Sequence, residues 1–332
     1  MIIKLHSKTL RTTLALVTAV SSVTFSALAQ AEWKGWNIHN ADYPVTVAME
    51  SFIKEANKVT DGRVSGRVYN GGVLGSQSDS IQMLQVGAIQ FAGFNLGPMG
   101  EAVPEVNVVS LPFIFKNLDH MHRVMDGPVG DQLSEAMAKQ GIISLAWYDG
   151  GARSFYNTSK PIQTPADMKG EKFRVMNNEL YVGMVEALGG NATPMAYSEV
   201  YQSLKTGVVD GAENNWPSYD TSNHFEVAPY YSLTEHLILP ECLCVNVKTW
   251  NSLSEADQVA VKKAARDSSV LQRKLWAEGD AESRKKVLAS GVKFNEIQDK
   301  SAFQDAMKPV YAKAVKDNPT LKSFIEQIQN TQ

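Results

Sequence analysis

The sequence predicts an α/β protein of two lobes joined by one long helix, and three observations carry that prediction. Apolar residues recur at helical and strand spacing in alternation from Tyr43 onward. A Gly150-Gly151 pair interrupts the chain near its middle, where the backbone can pass from one lobe to another. From Glu255 to Ser290 the pattern stays helical for about 36 residues, roughly 54 Å at the α-helical rise, enough to span both lobes. The length agrees: 332 residues, 44% of them hydrophobic, suit two lobes that each have a core.

In chain order, residues 1–31 read as a secretory signal. Lys4, Lys8 and Arg11 precede the uncharged stretch Thr12–Phe25, and Ala29-Gln30-Ala31 offers a small-x-small cleavage site. The uncharged run is short for a bilayer span, so export is expected, with cleavage near Ala31. Val45, Val47, Met49, Phe52, Ile53, Ala56 and Val59 predict a helix that Asp61-Gly62 stops. Arg63–Tyr69 follows as a strand, Ser78–Val86 as a helix closed by Gly87, and Ala88–Asn95 as a strand. This alternation implies a parallel sheet whose ligands sit at the carboxyl ends of its strands. Helices at Leu118–Met125 and Val129–Lys139 feed the strand Ile142–Tyr148.

Beyond the glycine pair, a second lobe is expected to contain the strand Gly170–Met176, the helix Leu180–Leu188, the strand-like Asn191–Met195 and the helix Ser198–Lys205. Asp210–Trp216 then packs acid, amide and aromatic groups into one turn. Leu239–Val247 returns as a strand, and Ser254 with Asp257 resembles a capping box ahead of the long helix, in which Gly279 marks a bend. One more strand, Gly291–Ile297, precedes two terminal helices. The expected lobes are 32–150 with 240–278, and 151–239 with 279–332.

The chemistry concentrates between Gly170 and Trp216. Phe173 and Val175 share one face of a strand, leaving Lys172 and Arg174 on the other. Spacing alone puts Arg174 either on a solvated face or in a site where its planar fork of donors meets an anion, because guanidinium keeps its charge when water is excluded. Cys242 and Cys244 are the only cysteines and share a strand face. A bridge over so short a loop is expected to be strained, so they read as packed free thiols. His120 and His122, two apart on a helix, do not share a face, and no metal site is expected.

The whole chain past the signal resembles DctP-type substrate-binding proteins of tripartite ATP-independent periplasmic (TRAP) transporters. Gly151-Ala152-Arg153, Met168–Val175, Thr193–Tyr201 and Asp210–Asn214 carry the resemblance, in that order. Ser154-Phe155-Tyr156 and Asn215–Tyr219 are similar to the subgroup that takes hexuronates such as D-glucuronate and D-galacturonate. The resemblance implies a periplasmic binding protein fold, a monomer without cofactor, and a small and a large integral membrane subunit as partners. It makes Arg174 the principal carboxylate clamp, Arg153 a second cation and Asn214 an orienting amide. His39, Asn95 and Glu241 would meet hydroxyls from the first lobe, and Trp216 would offer an apolar face to the ring. Gln77 departs from the pattern, standing where relatives often carry glutamate.

Other classes fit less well. The formal charge is −3, and about −6 once the three basic residues of the first 31 are discounted, which argues against a nucleic-acid partner. A hydrolase would need a nucleophile elbow, a metal helix or a phosphate loop, and none occurs. Glu213 and Glu241 as a glycosidase pair meet the objection that a carboxylate beside an arginine has a lowered pKa and makes a poor general acid. Another organic acid as ligand, or an ATP-driven importer or sensor kinase as partner, stays compatible with the residues.

Overall fold

A computed structural model describes residues 32–332; the expected signal segment lies outside them. The elements run β1 Trp33–Trp36, α1 Pro44–Val59, β2 Gly66–Tyr69, α2 Gln77–Val86, β3 Phe91–Asn95, α3 Leu96–Ala102, α4 Leu118–Met125, α5 Pro128–Lys139 and β4 Ile142–Asn157. They continue with β5 Lys172–Val175, α6 Glu179–Ala187, β6 Asn191–Pro194, α7 Val200–Lys205, β7 Gly211–Asn214, α8 Trp216–Thr221, β8 Tyr230–Asn246 and α9 Val247–Asn251. The last are α10 Glu255–Ala289, β9 Lys293–Glu296, α11 Ser301–Ala306, α12 Lys308–Asp317 and α13 Leu321–Asn330.

One sheet runs through the molecule in the order β2-β1-β3-β8-β4-β7-β5-β6, with β9 also on β8. It is mixed, which corrects the expectation of a parallel sheet. The flanking pairs are parallel, as crossover helices require, but β3–β8, β8–β4 and β4–β7 are antiparallel. The reason is that β4 and β8 are single long strands of opposite direction that cross both lobes. Residues 142–149 of β4 pair with 240–246 of β8 in the first lobe, and 152–157 pair with 230–238 in the second.

Between these halves the register shifts, from Asp149 opposite Pro240 to Ala152 opposite Ile238. Gly150-Gly151 fills the bulge, and Gly151 has φ +66° with the Trp276 ring 2.7 Å from where a Cβ would stand. A side chain there would meet both backbone strain and an indole.

Alternation along the strands gives each lobe two apolar layers. In the first, Trp36, Ala92 and Phe94 face one layer, while Trp33, Phe91 and Leu243 face the other. In the second, Phe155, Phe173 and Val175 pack opposite Tyr156, Ala212 and Tyr231. Helix α10 joins the lobes, with Val261, Ala264 and Trp276 in a first-lobe layer and Val287 in a second-lobe layer. It starts as half of the expected capping box. Ser254 Oγ accepts from the Asp257 amide, but the Asp257 carboxylate turns to Arg63, at 3.1 and 2.8 Å. The helix runs through Gly279 without interruption, and that glycine lets Pro44 approach, its ring carbon 3.3 Å from a would-be Cβ.

Two further expectations are corrected. Residues 279–332 do not all belong with the second lobe. Phe303, Met307 and Val310 pack there, but Leu321, Phe324 and Ile328 of α13 return to the first-lobe core, an apolar helix face having found the nearer uncovered layer. Cys242 and Cys244 form a disulfide rather than free thiols. Their Cα atoms are 5.5 Å apart, within bridging range, where the register of β8 with β4 shifts opposite Leu243 and Cys244 and the pleat departs from regular spacing.

Candidate functional site

All of the predicted site residues but Trp216 fall around one cleft between the lobes, most of them at strand ends and bulges. Arg174 lies on the face of β5 opposite Phe173 and Val175, as alternation requires, but it is buried rather than solvated, 3% exposed. β6 runs parallel to β5 and ends one residue before Met195, whose carbonyl accepts from Arg174 Nε at 3.1 Å and Nη2 at 2.8 Å. Nη1 has no protein hydrogen-bond partner and no carboxylate pairs with this guanidinium among the described residues. Burial lowers its pKa, the Glu213 charge opposing. A desolvated cation without a counter-ion is costly, and an anion in the cleft would offset that cost.

Arg153 follows the β4 bulge and is oriented quite differently. The β4–β7 register sets Ser154 beside Asn214 and Phe155 beside Glu213. Arg153 Nε donates to Glu213 Oε2 at 2.6 Å, Nη2 to Oε1 at 2.8 Å, and Nη1 to Asn214 Oδ1 at 2.7 Å. Burial alone would raise the Glu213 pKa, but the Arg153 charge and hydrogen bonds, with help from His236, hold it at about 2. Arg153 therefore enters the cleft already neutralised. Asn214 Oδ1 accepts from both Arg153 and the Asn215 amide, which leaves its NH2 group without a protein partner among the described residues.

The expected turn at 210–216 is strand β7 followed by the cap of α8. Asn215 accepts from the Ser218 amide through Oδ1 at 2.8 Å and donates Nδ2 to the Gly150 carbonyl at 2.7 Å, tying the site to the glycine bulge. Trp216 begins α8 and is corrected as a ring contact: it does not line this cleft. Its indole stacks on Tyr231 at 3.7 Å and lies under Arg284, because the first turn of α8 directs it into the second-lobe core.

From the first lobe, Asn95 ends β3 and caps α3 by accepting from Gly97 N at 2.9 Å. Gln77 Nε2 donates to the Asn95 carbonyl at 2.7 Å, so an amide rather than an acid occupies that corner. His39 stacks on Tyr43 with ring centroids 3.6 Å apart. Burial, then the Arg153 charge, lowers its pKa to about 3, so it works as a neutral imidazole. Glu241 pairs with Asn95 in the β3–β8 ladder. Burial raises its pKa to about 7 against the Asn95 and Arg153 influences, which corrects the expectation that either acid near an arginine would be lowered.

Arg174, Arg153, Asn214, His39, Asn95 and Glu241 thus share one cleft. Tyr197 joins them, unassigned by sequence reasoning although it sits in the Thr193–Tyr201 stretch just past the end of β6. Its hydroxyl donates to the Ser218 carbonyl at 3.0 Å and its ring meets His39 edge-on at 5.4 Å, across the lobes. Tyr43 and Ser218 hydroxyls also meet across the cleft, at 3.0 Å. The helix histidines have structural partners: His120 the Ile328 carbonyl, His122 the Asp149 carboxylate. Among the described residues no acid, thiol and imidazole cluster is spaced for a metal, and no helix is long and apolar enough to cross a membrane.

A curated "Solute-binding protein" of Chromohalobacter salexigens is 55% identical over 319 residues, covering 96% of this chain and 95% of its own. A solved TRAP periplasmic solute-binding protein from C. salexigens, with bound D-glucuronate, superposes with TM-score 0.89 at 56% identity, over 91% of this chain and 100% of that one. Another from Sulfitobacter sp. NAS-14.1, with bound β-D-galacturonate, gives TM-score 0.89 at 56% identity, over 90% of this chain and 100% of that one. Both neighbours are two-lobed binding proteins, in keeping with the sheet and the bridging helix described above. Residues 37–318 match the family "Bacterial extracellular solute-binding protein, family 7", known as DctP, and the chain belongs to that family.

Proposed function

We propose that this protein captures a monomeric hexuronate, D-glucuronate or D-galacturonate, in the periplasm and delivers it to the membrane subunits of a TRAP transporter. The observation that carries this reading is Arg174: a buried guanidinium with an open edge and no counter-ion, in a cleft it shares with Arg153, already paired to Glu213, and with Glu241, amides, hydroxyls and a neutral imidazole. A carboxylate meets that edge with charge-assisted hydrogen bonds. The sugar hydroxyls then meet the Asn214 NH2, His39, Asn95 and Glu241. The neighbours solved with glucuronate and galacturonate support the same ligand class. Capture without chemistry fits the site: Glu213, both its oxygens held by Arg153, does not line the cleft, so among the described residues Glu241 has no second carboxylate there to complete a glycosidase pair.

Titration calorimetry on the exported, purified protein tests the reading. Glucuronate and galacturonate should bind on the order of a hundredfold or more tighter than glucose, which leaves Arg174 unpaired, and than succinate, which leaves the hydroxyl partners unpaired. Equal or tighter binding of glucose or succinate would overturn it.

A further inference from the structure

Among the described residues the cleft carries an unpaired cation, Arg174, and an acid, Glu241. Glu241 faces it from β8, three strands from β5 and Arg174 in the sheet order, with Arg153 between them on β4. Around the Glu241 carboxyl stand Asn95 from β3, Asp149 and Arg153 from β4, His39 from the loop after β1, and Tyr43 at the head of α1. On the far side of Asp149, His122 of α4 takes up that acid at 2.6 Å. None of these forms an ion pair with Glu241 among the described residues, and the Arg153 guanidinium is already committed to Glu213 and Asn214. With the Asn95 amide as its neighbouring donor, the buried carboxyl keeps acceptor capacity for a ligand group that donates a hydrogen bond.

We propose that Glu241 sets the substrate class by charge, admitting sugar acids carboxylated at one end and rejecting those carboxylated at both. The proposal rests on the hexuronate reading and deepens it. A hexuronate with its carboxylate on Arg174 turns hydroxyls toward the Glu241 end, and a hydroxyl donates to a carboxylate. The aldarate made from the same sugar, an open chain with its C1 oxidised, brings a second carboxylate to that end instead. Two acceptors then face each other with no hydrogen between them, a like-charge contact that binding sites use to exclude competitors. Relief comes only from protonation of Glu241.

That requirement gives the proposal its signature. Burial already places Glu241 at about 7, and a second carboxylate beside it raises the pKa further, so aldarate binding takes up one proton onto Glu241. Aldarate affinity must then fall as pH rises through neutrality. A donating hydroxyl favours the ionised form, so hexuronate affinity does not fall over the same range.

Calorimetric titration of glucuronate and glucarate at about pH 5.5 and about pH 8 is the test, with a preference for glucuronate that grows about tenfold or more toward the higher pH. In Glu241→Gln the preference should be smaller and the same at both pH values. Glucarate binding within about threefold of glucuronate near pH 8, or a wild-type preference indifferent to pH, would overturn the proposal. So would a pH dependence that persists in Glu241→Gln. If that variant fails to fold, the wild-type series alone decides. Absence of glucuronate binding at both pH values would overturn the hexuronate reading and this inference with it, whereas equal binding of the two acids overturns the inference alone.

Discussion

The two walls of the cleft handle charge in opposite ways. On the second lobe, Arg153 and Glu213 are fully buried and neutralise each other through two hydrogen bonds, and beside them Arg174 keeps its charge with only a carbonyl for company. On the first lobe, His39 is a neutral imidazole, Asn95 an amide, and Glu241 an acid near its midpoint at neutral pH. On the proposed reading, one wall attracts an anion and the other meets hydroxyls. Arg153 and Arg174 look alike in sequence, yet the partner each finds gives the first a structural task and leaves the second available to a ligand.

The largest expected effect comes from unbalancing the second-lobe wall. Glu213→Gln leaves the Arg153 charge buried and unpaired, and urea unfolding should show a loss of about 3–5 kcal/mol. The pH dependence has a definite sign. Glu213 is depressed from 4.5 to about 2, so its stabilising contribution is complete above about 4.5 and disappears as pH falls toward 2. Wild type should lose stability through that window and Glu213→Gln should lose correspondingly less.

Reducing the Cys242–Cys244 bridge should cost less, about 1–2 kcal/mol, because so short a loop constrains the unfolded chain little. A thermal scan with and without reductant checks this. The smallest effect on binding is expected at Trp216. Since it stacks on Tyr231 outside the cleft, Trp216→Phe should leave uronate affinity within about twofold while lowering stability by about 1–2 kcal/mol. A tenfold loss of affinity without loss of stability would place the indole back at the ligand.

Much of this arrangement was legible in the sequence because it follows from period and position. Alternation put Arg174 opposite Phe173 and Val175, and the glycine pair marked the bulge where β4 changes lobes. What stayed illegible depends on partners far apart in the chain. Burial of Arg174 requires the Met195 carbonyl, and the divergence of Glu213 from Glu241 requires knowing which acid Arg153 reaches. The directions of β4 and β8 come from the long crossing, which no local window records. Trp216 was misassigned because the loop motif locates the residue while the first turn of α8 decides where the indole points. α13 was misassigned because its apolar face fits any uncovered layer, and only the assembled lobes show which one is open.

The contrast between the two arginines is tested most directly by titrating glucuronate into Arg174→Lys. Lysine keeps the charge but not the planar fork, and it cannot hold the Met195 carbonyl and a carboxylate together as the guanidinium can. Affinity should fall on the order of a hundredfold while the unfolding midpoint and far-UV spectrum stay near wild type. Unchanged glucuronate affinity in the folded variant would contradict the account, because the carboxylate would then have to be held somewhere other than the open edge of Arg174.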